Sequence, residues 1–150
     1  SHAAKELTKA FIGRDTNIDT MIIELKNIMS QHVGVFRSKD RLNIALEKVN
    51  FLQEQYDKAS ISDKSLQWNV ELQHYLEFGN MLISAVITIK SALWREESRG
   101  AHWRYDFQAK DNKFLGHTIC SKGMEQKTTL RPIRMSLDNV GFYQPTNRNY

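Results

Sequence analysis

The sequence predicts a mainly α chain: an up-down-up three-helix bundle, then an irregular segment and a short β-hairpin tail. Three observations carry this. Apolar residues recur at three- and four-residue steps in three blocks before residue 98. No proline precedes Pro132, so nothing in those blocks breaks a helix. After residue 98 the style changes, and both prolines, Pro132 and Pro145, and most of the glycines lie there.

The first helix is expected over about residues 16–33. Ile18, Met21, Ile22, Leu25, Ile28, Met29, His32 and Val33 share one face at helical spacing. Asp15 and Asp19 suit its N-terminus, where negative charge offsets the positive end of the helix dipole. Gly34 is its stop. The residues before Asp15 offer at most a short helical turn.

The second helix follows Ser38, whose hydroxyl can accept a bond from an orphan backbone N–H. Its stripe is Leu42, Ala45, Leu46, Val49, Leu52 and Tyr56, close to a seven-residue repeat. Glu47, Lys48, Gln53 and Glu54 face water. The third helix is expected from Ser62 or Asp63 to about Ser98. Its seam is Trp68, Leu72, Tyr75, Gly79, Leu82, Val86, Ile89 and Leu93, with Leu76, Ile83, Ile87 and Trp94 on other faces. A helix apolar on more than one face is buried by more than one neighbour, which places it centrally in a spectrin-repeat-like bundle.

Together these elements make residues 4–98 the bundle. Residues 99–150 form an extended basic tail of the same domain, and Ser1-His2-Ala3 reads as a cleavage scar. In the tail, residues 117–120 and 128–135 read as two strands joined by a turn at 122–125, with Pro132 tolerated at an edge. Gly141 to Tyr150 reads as an extended end.

The length of 150 residues suffices for a real core without staples. One cysteine excludes an internal disulfide and a four-cysteine zinc site, and it suits a reducing compartment. No run of 18 uninterrupted apolar residues exists, so no membrane-spanning helix is expected. The formal charge of +4 lies entirely in residues 95–150, because acidic and basic side chains balance in the first 94.

Several small groups could carry chemistry. His117-x-x-Cys120 is half a zinc motif, with His102 a third candidate, but a second clear pair is missing. A Cys120–His117 nucleophile pair lacks a third orienting group. Trp103, Arg104, Tyr105 and Phe107 could stack on a nucleic acid, yet no basic run supports them. Trp68, Tyr75 and Trp94 are aromatics at helical spacing, which reads as core. His32 and His74 read as ordinary helix-surface or interface histidines.

The segment Arg95-Glu96-Glu97-Ser98-Arg99-Gly100-Ala101-His102-Trp103-Arg104-Tyr105-Asp106-Phe107 fits no helical or strand period. Charges and aromatics mixed this tightly either pack on another surface or bind a polar ligand. On their own, Arg99, His102, Arg104 and Asp106 read as helix caps and local ion pairs, or as an anion site. The segment resembles the helical C-terminal domain of succinate dehydrogenase and fumarate reductase flavoprotein subunits, whose pattern is roughly E-S-R-G-A-H-x-R-x-D-[YF]-P and later H-T. Glu97 to His102, Arg104, Asp106 and Phe107 match in register, as do His117-Thr118, and Arg131-Pro132-Ile133 is similar to the closing strand. Gln108 stands where proline is usual, and Phe114 where tryptophan is common. L-aspartate oxidase, of the same superfamily, is the alternative, and Ala101 and Arg104 favour the former.

The resemblance implies a parent enzyme that moves a hydride between a dicarboxylate C–C bond and FAD. It implies no catalytic, metal or cofactor residue in this stretch, since the G-x-G-x-x-G turn for FAD is missing. FAD belongs to the full-length parent, and the fragment alone is expected to be inactive. Arg99, His102, Arg104, Asp106 and His117 are then docking residues toward the parent's own FAD-binding domain and an iron–sulfur subunit. A cytoplasmic site is expected, at the inner face of the membrane through partner subunits, with no nucleic acid and no direct insertion. A reading of another class is a stand-alone helical adaptor that binds a protein or nucleic acid.

Overall fold

The computed structural model describes residues 2–15, 17–121, 127–133, 136–137 and 140–142. They fall into two compact units, Ser1–Lys110 and Asp111–Tyr150.

The first unit begins with α1 (His2–Phe11), which takes in two residues of the expected scar. The sequence suggested one turn, and the structure makes ten residues of helix. Tertiary contacts supply what periodicity lacked: Ala10 is fully buried, its carbonyl accepts from the Ile61 N–H at 3.0 Å, and Lys9 meets Asp57 at 3.3 Å. Then β1 (Arg14–Asp15) leads into α2 (Ile18–His32). The cap of α2 is Asn17, whose Oδ1 accepts from the Thr20 N–H at 3.1 Å, and Ile18, Met21, Leu25 and Ile28 are buried as the pattern requires.

After β2 (Phe36–Arg37), α3 (Lys39–Lys58) starts from Ser38 as expected, with Ser38 Oγ accepting from the Arg41 N–H at 3.3 Å. Leu42, Ala45, Val49, Leu52 and Tyr56 form its buried stripe. A two-residue strand, β3 (Ala59–Ser60), closes the segment and pairs in parallel with β1.

The fourth helix, α4 (Val70–Trp94), is shorter at both ends than the apolar pattern suggests. At its start, side chains out-compete the helix. Glu71 accepts from the Ser62 and Asp63 N–H groups, Asp63 accepts from the Ser65 N–H, and Asn69 Oδ1 accepts from the Leu72 N–H at 2.7 Å. Residues 61–69 are therefore a braced loop. Trp68 is no part of the core: it is 99% exposed, with φ +57°. A left-handed backbone costs a bulky L residue roughly 1–2 kcal/mol.

Along α4 the buried residues are Tyr75, Phe78, Leu82, Ala85, Ile89 and Ala92, a heptad spacing around the expected positions 75, 82 and 89. The helix packs against α1, α2 and α3, so it is central. Ile83 and Ile87, expected to find a second neighbour, stay 49% and 39% exposed, with Ile83 at the edge of the groove between α1 and α4. Gly79 permits the close approach of α3: a Cβ there would lie 2.5 Å from the Tyr56 hydroxyl. By length and composition α4 is long and apolar enough to cross a membrane, a test that core helices also pass. The last strand of this unit, β4 (Trp103–Arg104), pairs in parallel with β2.

The second unit holds a 3-10 turn, Asn112–Phe114, and the expected hairpin. Its strands are β5 (Gly116–Cys120) and β6 (Thr128–Pro132), antiparallel with Thr118 opposite Leu130. Pro132 ends β6, where a lost N–H costs least. The turn at 122–125 and residues 143–150 lie outside the described residues. A further pair, β7 (Ser136–Leu137) and β8 (Val140–Phe142), occupies ground the sequence assigned to no strand or to an extended end.

Candidate functional site

The chain leaves α4 at Arg95 and turns back on itself. Arg99 and His102 exchange backbone bonds of 2.8 and 3.1 Å around Gly100-Ala101. Gly100 has φ +58°, which only glycine adopts without cost. The return strand β4 lies beside β2, so alternate side chains sort to opposite sides. Trp103 faces outward beside Phe36, while Arg104 and Arg37 face in.

Arg104 is 1% exposed and occupies its whole fork. Its Nη1 donates to the carbonyls of Ala92 (2.8 Å), Leu93 (3.3 Å) and Arg95 (3.4 Å), orphan acceptors at the end of α4. Its Nε and Nη2 donate to the two Asp106 oxygens at 2.7 and 2.6 Å. Asp106 Oδ2 also accepts from the Lys39 N–H at 3.1 Å, at the start of α3. A cation thus closes the negative end of one helix, and its partner anion closes the positive end of another. The Arg104 bonds, ahead of the opposing burial, hold the Asp106 carboxyl well down, at about 2. The Phe107 ring covers the guanidinium at 5.0 Å.

His102 repeats the theme. Its Nε2 donates to the Arg95 carbonyl at 3.0 Å, and its Nδ1 accepts from Arg37 Nη1 at 2.7 Å, which assigns the neutral ring with the proton on Nε2. Burial pushes its pKa down, and Arg37, Arg104 and Arg95 push the same way against the Arg95 carbonyl. Arg37 in turn donates from Nε to the Val33 (3.2 Å) and Gly34 (2.7 Å) carbonyls at the end of α2. Glu97, fully buried, accepts from Arg95 Nε (3.0 Å) and from Arg99 Nε and Nη2 (both 2.9 Å). Ser98 Oγ accepts from the Arg104 N–H at 2.8 Å and donates to the Phe107 carbonyl at 2.8 Å.

Four of the five residues expected to dock, Arg99, His102, Arg104 and Asp106, therefore sit in one network. The Arg99 and Asp106 side chains are its outer members, 29% and 30% exposed. His117 is exposed on β5 in the second unit. Sequence reading passed over Arg37, Glu97 and Ser98 as members of the network. Glu97 had a signal, an acid flanked two residues away on each side by arginine. Arg37 had none, because its link to the network, His102, lies 65 residues downstream.

His117 and Cys120 are three apart on a strand and so point to opposite faces, which defeats both the zinc and the nucleophile pairing. Cys120 Sγ lies 3.7 Å from Thr128 Oγ1. His74 Nδ1 meets Asp19 Oδ1 at 2.8 Å. Among the described residues no three His, Cys, Asp or Glu side chains come together as a metal site. Nor does the cluster fit a flavin diphosphate. The α2, α3 and α4 N-termini are closed by Asn17, Ser38 and Asn69 side chains instead of glycine-rich turns, and Arg104 is bonded to the protein's own oxygens.

Fold and site together define a helical bundle whose charged cluster is turned on its own helix ends. Known proteins place it more closely. Residues 23–150 match the family described as fumarate reductase flavoprotein C-term. The chain is 32% identical over 133 residues to a succinate dehydrogenase flavoprotein subunit of Rickettsia bellii, covering 85% of this chain and 22% of that one. It is 38% identical over 109 residues to a fumarate reductase flavoprotein subunit of Mycobacterium tuberculosis, covering 72% and 18%. A chain of an E. coli quinol fumarate reductase superposes with a TM-score of 0.80 at 25% identity, over 95% of this chain and 25% of that one. The chain belongs to the family of fumarate reductase and succinate dehydrogenase flavoprotein C-terminal domains. It spans about a fifth to a quarter of the relatives it matches.

Proposed function

We propose that this chain is the C-terminal scaffolding and docking domain of an FAD-dependent fumarate reductase or succinate dehydrogenase flavoprotein. In the full-length protein, hydride passes between a dicarboxylate and FAD in the remaining part of the chain. The fragment alone neither holds FAD tightly nor oxidises succinate. One observation carries the scaffolding role: the Arg104–Asp106 pair joins the end of α4 to the start of α3 with the whole guanidinium engaged. A group so committed sets a surface; it does no chemistry.

In this reading Arg99 and His117 meet the partner, while His102, Arg104 and Asp106 hold the surface in shape. The parent's own FAD-binding domain is the first partner and an iron–sulfur subunit the second. The complex is cytoplasmic, at the inner membrane face through partner subunits.

The test uses the full-length flavoprotein. Arg99→Ala weakens assembly or flavin retention while the domain remains folded by circular dichroism; unchanged assembly and retention refute the docking role of Arg99. Mixing the purified fragment with FAD leaves the flavin spectrum free, and stoichiometric binding refutes the placement of the FAD site elsewhere. Removing the domain from the full-length chain lowers flavin retention if the scaffolding reading holds.

A further inference from the structure

The loop between β3 and α4, with the first residue of α4, carries exposed apolar side chains. Leu66, Trp68 and Val70 are 72%, 99% and 60% exposed. Ser65, Asn69 and Asp63 beside them are bonded within the loop. Ser65 donates to Asp63 from N (2.8 Å) and Oγ (3.0 Å), and Asn69 Nδ2 donates to the Asp63 and Ser65 carbonyls at 2.8 and 2.9 Å. Glu71 ties down the Ser62 and Asp63 N–H groups. The result is a braced frame with its apolar side chains on the outside. Trp68 also holds φ +57°, which glycine would hold without strain. An indole in water at a strained position gives the domain no packing.

We propose that Trp68, flanked by Leu66 and Val70, is an aromatic anchor that inserts into an apolar pocket on the rest of the same flavoprotein chain. This rests on the scaffolding reading above. Two observations choose this occupant over a second copy or a separate subunit. The domain is a quarter of the chain it superposes on, so a covalently attached neighbour about three times its size is always present at high effective concentration. Residues 65–70 carry no charge, which suits a permanent contact better than an electrostatically steered encounter. The backbone beneath the anchor is braced before docking, so little loop-ordering entropy opposes its insertion whatever covers it.

The test uses the full-length flavoprotein, purified without other subunits. Hydroxyl-radical oxidation of Trp68, read by mass spectrometry, is expected to be slower by about tenfold or more in the folded protein than in urea, as befits a desolvated anchor. Trp68→Gly leaves the helical domain's own unfolding midpoint unchanged or raised. It nevertheless speeds protease release of the domain by about tenfold, while Trp68→Phe stays within about threefold of the parent. A purely structural tryptophan would move both readouts in the same direction. If Trp68→Gly prevents folding, the oxidation rate in the unaltered protein decides. The proposal is overturned if Trp68 oxidises as fast folded as unfolded, or is shielded only when an iron–sulfur subunit is added or as protein concentration rises. Loss of flavin on domain removal with a reactive Trp68 sinks the anchor alone; retention of flavin on domain removal sinks the scaffolding reading.

Discussion

Arg104 and Asp106, two residues apart, form a paired ionic contact of 2.7 and 2.6 Å that closes the ends of two different helices. Arg104→Ala leaves Asp106 with only the Lys39 N–H and strips the Ala92 and Leu93 carbonyls of the guanidinium, and about 3–5 kcal/mol of stability is lost in urea denaturation. Arg104→Lys does not restore it, since an ammonium cannot reach the carbonyls and both carboxylate oxygens from one fork.

Asp106→Asn costs about 1.5–3 kcal/mol near neutral pH, the worth of hydrogen bonds to a charged group. The sign with pH follows from the lowered carboxyl. It is about 2 folded against 3.8 unfolded, so its stabilisation is complete above about pH 4 and fades as pH falls toward 2. Acid titration of the wild type minus the Asn variant shows that closing gap; a constant gap contradicts the assignment.

His102 works the other way in charge but in the same direction of pH. Its folded pKa lies below 6.5, so the unfolded chain takes up the proton first, and stability falls as pH drops below about 6.5. Protonated Nδ1 would face Arg37, with Arg95 and Arg104 beside it. His102→Gln flattens the urea midpoint between pH 7.5 and 5.5 relative to wild type. His32, whose pKa is lowered by burial, then by Lys48 and Arg41, contributes to both proteins and cancels in the difference.

Glu97→Gln leaves the Arg95 and Arg99 guanidiniums side by side without their buried anion. The expected loss is about 3 kcal/mol. Arg99→Ala costs less, because Arg99 is partly exposed and Arg95 remains on Glu97. Chemical denaturation of the two variants checks the order, and a costlier Arg99→Ala would show that Glu97 is not the hub.

Gly79→Ala places a methyl 2.5 Å from the Tyr56 hydroxyl and 2.9 Å from its ring carbon. Tyr56 is packed against Tyr75 and Phe78, at ring distances of 4.5 and 5.7 Å, so displacing it disturbs both contacts. Overpacking of about 1–3 kcal/mol outweighs the gain of about 1 kcal/mol in helix propensity. A thermal melt shows net destabilisation, partly relieved when Tyr56→Phe is added, through coupling of neighbours.

How much of this was legible varied with the range of the interactions. The α2 and α3 stripes were readable because helical period is a local property, and Ser38 because capping acts within three residues. The early start assigned to α4 came from treating Trp68 as one more apolar repeat, when Asp63, Asn69 and Glu71 form local bonds that end the helix at Val70. α1 was nearly invisible, since its stability comes from Tyr56, Asp57 and Ile61, fifty residues away. The Arg99–Asp106 segment could be recognised as a unit by its residue order, but its inward use depended on β2 and on the ends of three helices.

The sequence by itself determined the helical class, the hairpin, the change of style near residue 98 and the family resemblance. Each of these rests on spacing or order within a short stretch. Only the tertiary structure decided which charges face in, which apolar side chains find no cover, and that Arg104 caps α4 while Asp106 caps α3. Those outcomes depend on where distant backbone ends meet, and a helix end left without partners is satisfied by whichever side chain the fold brings to it.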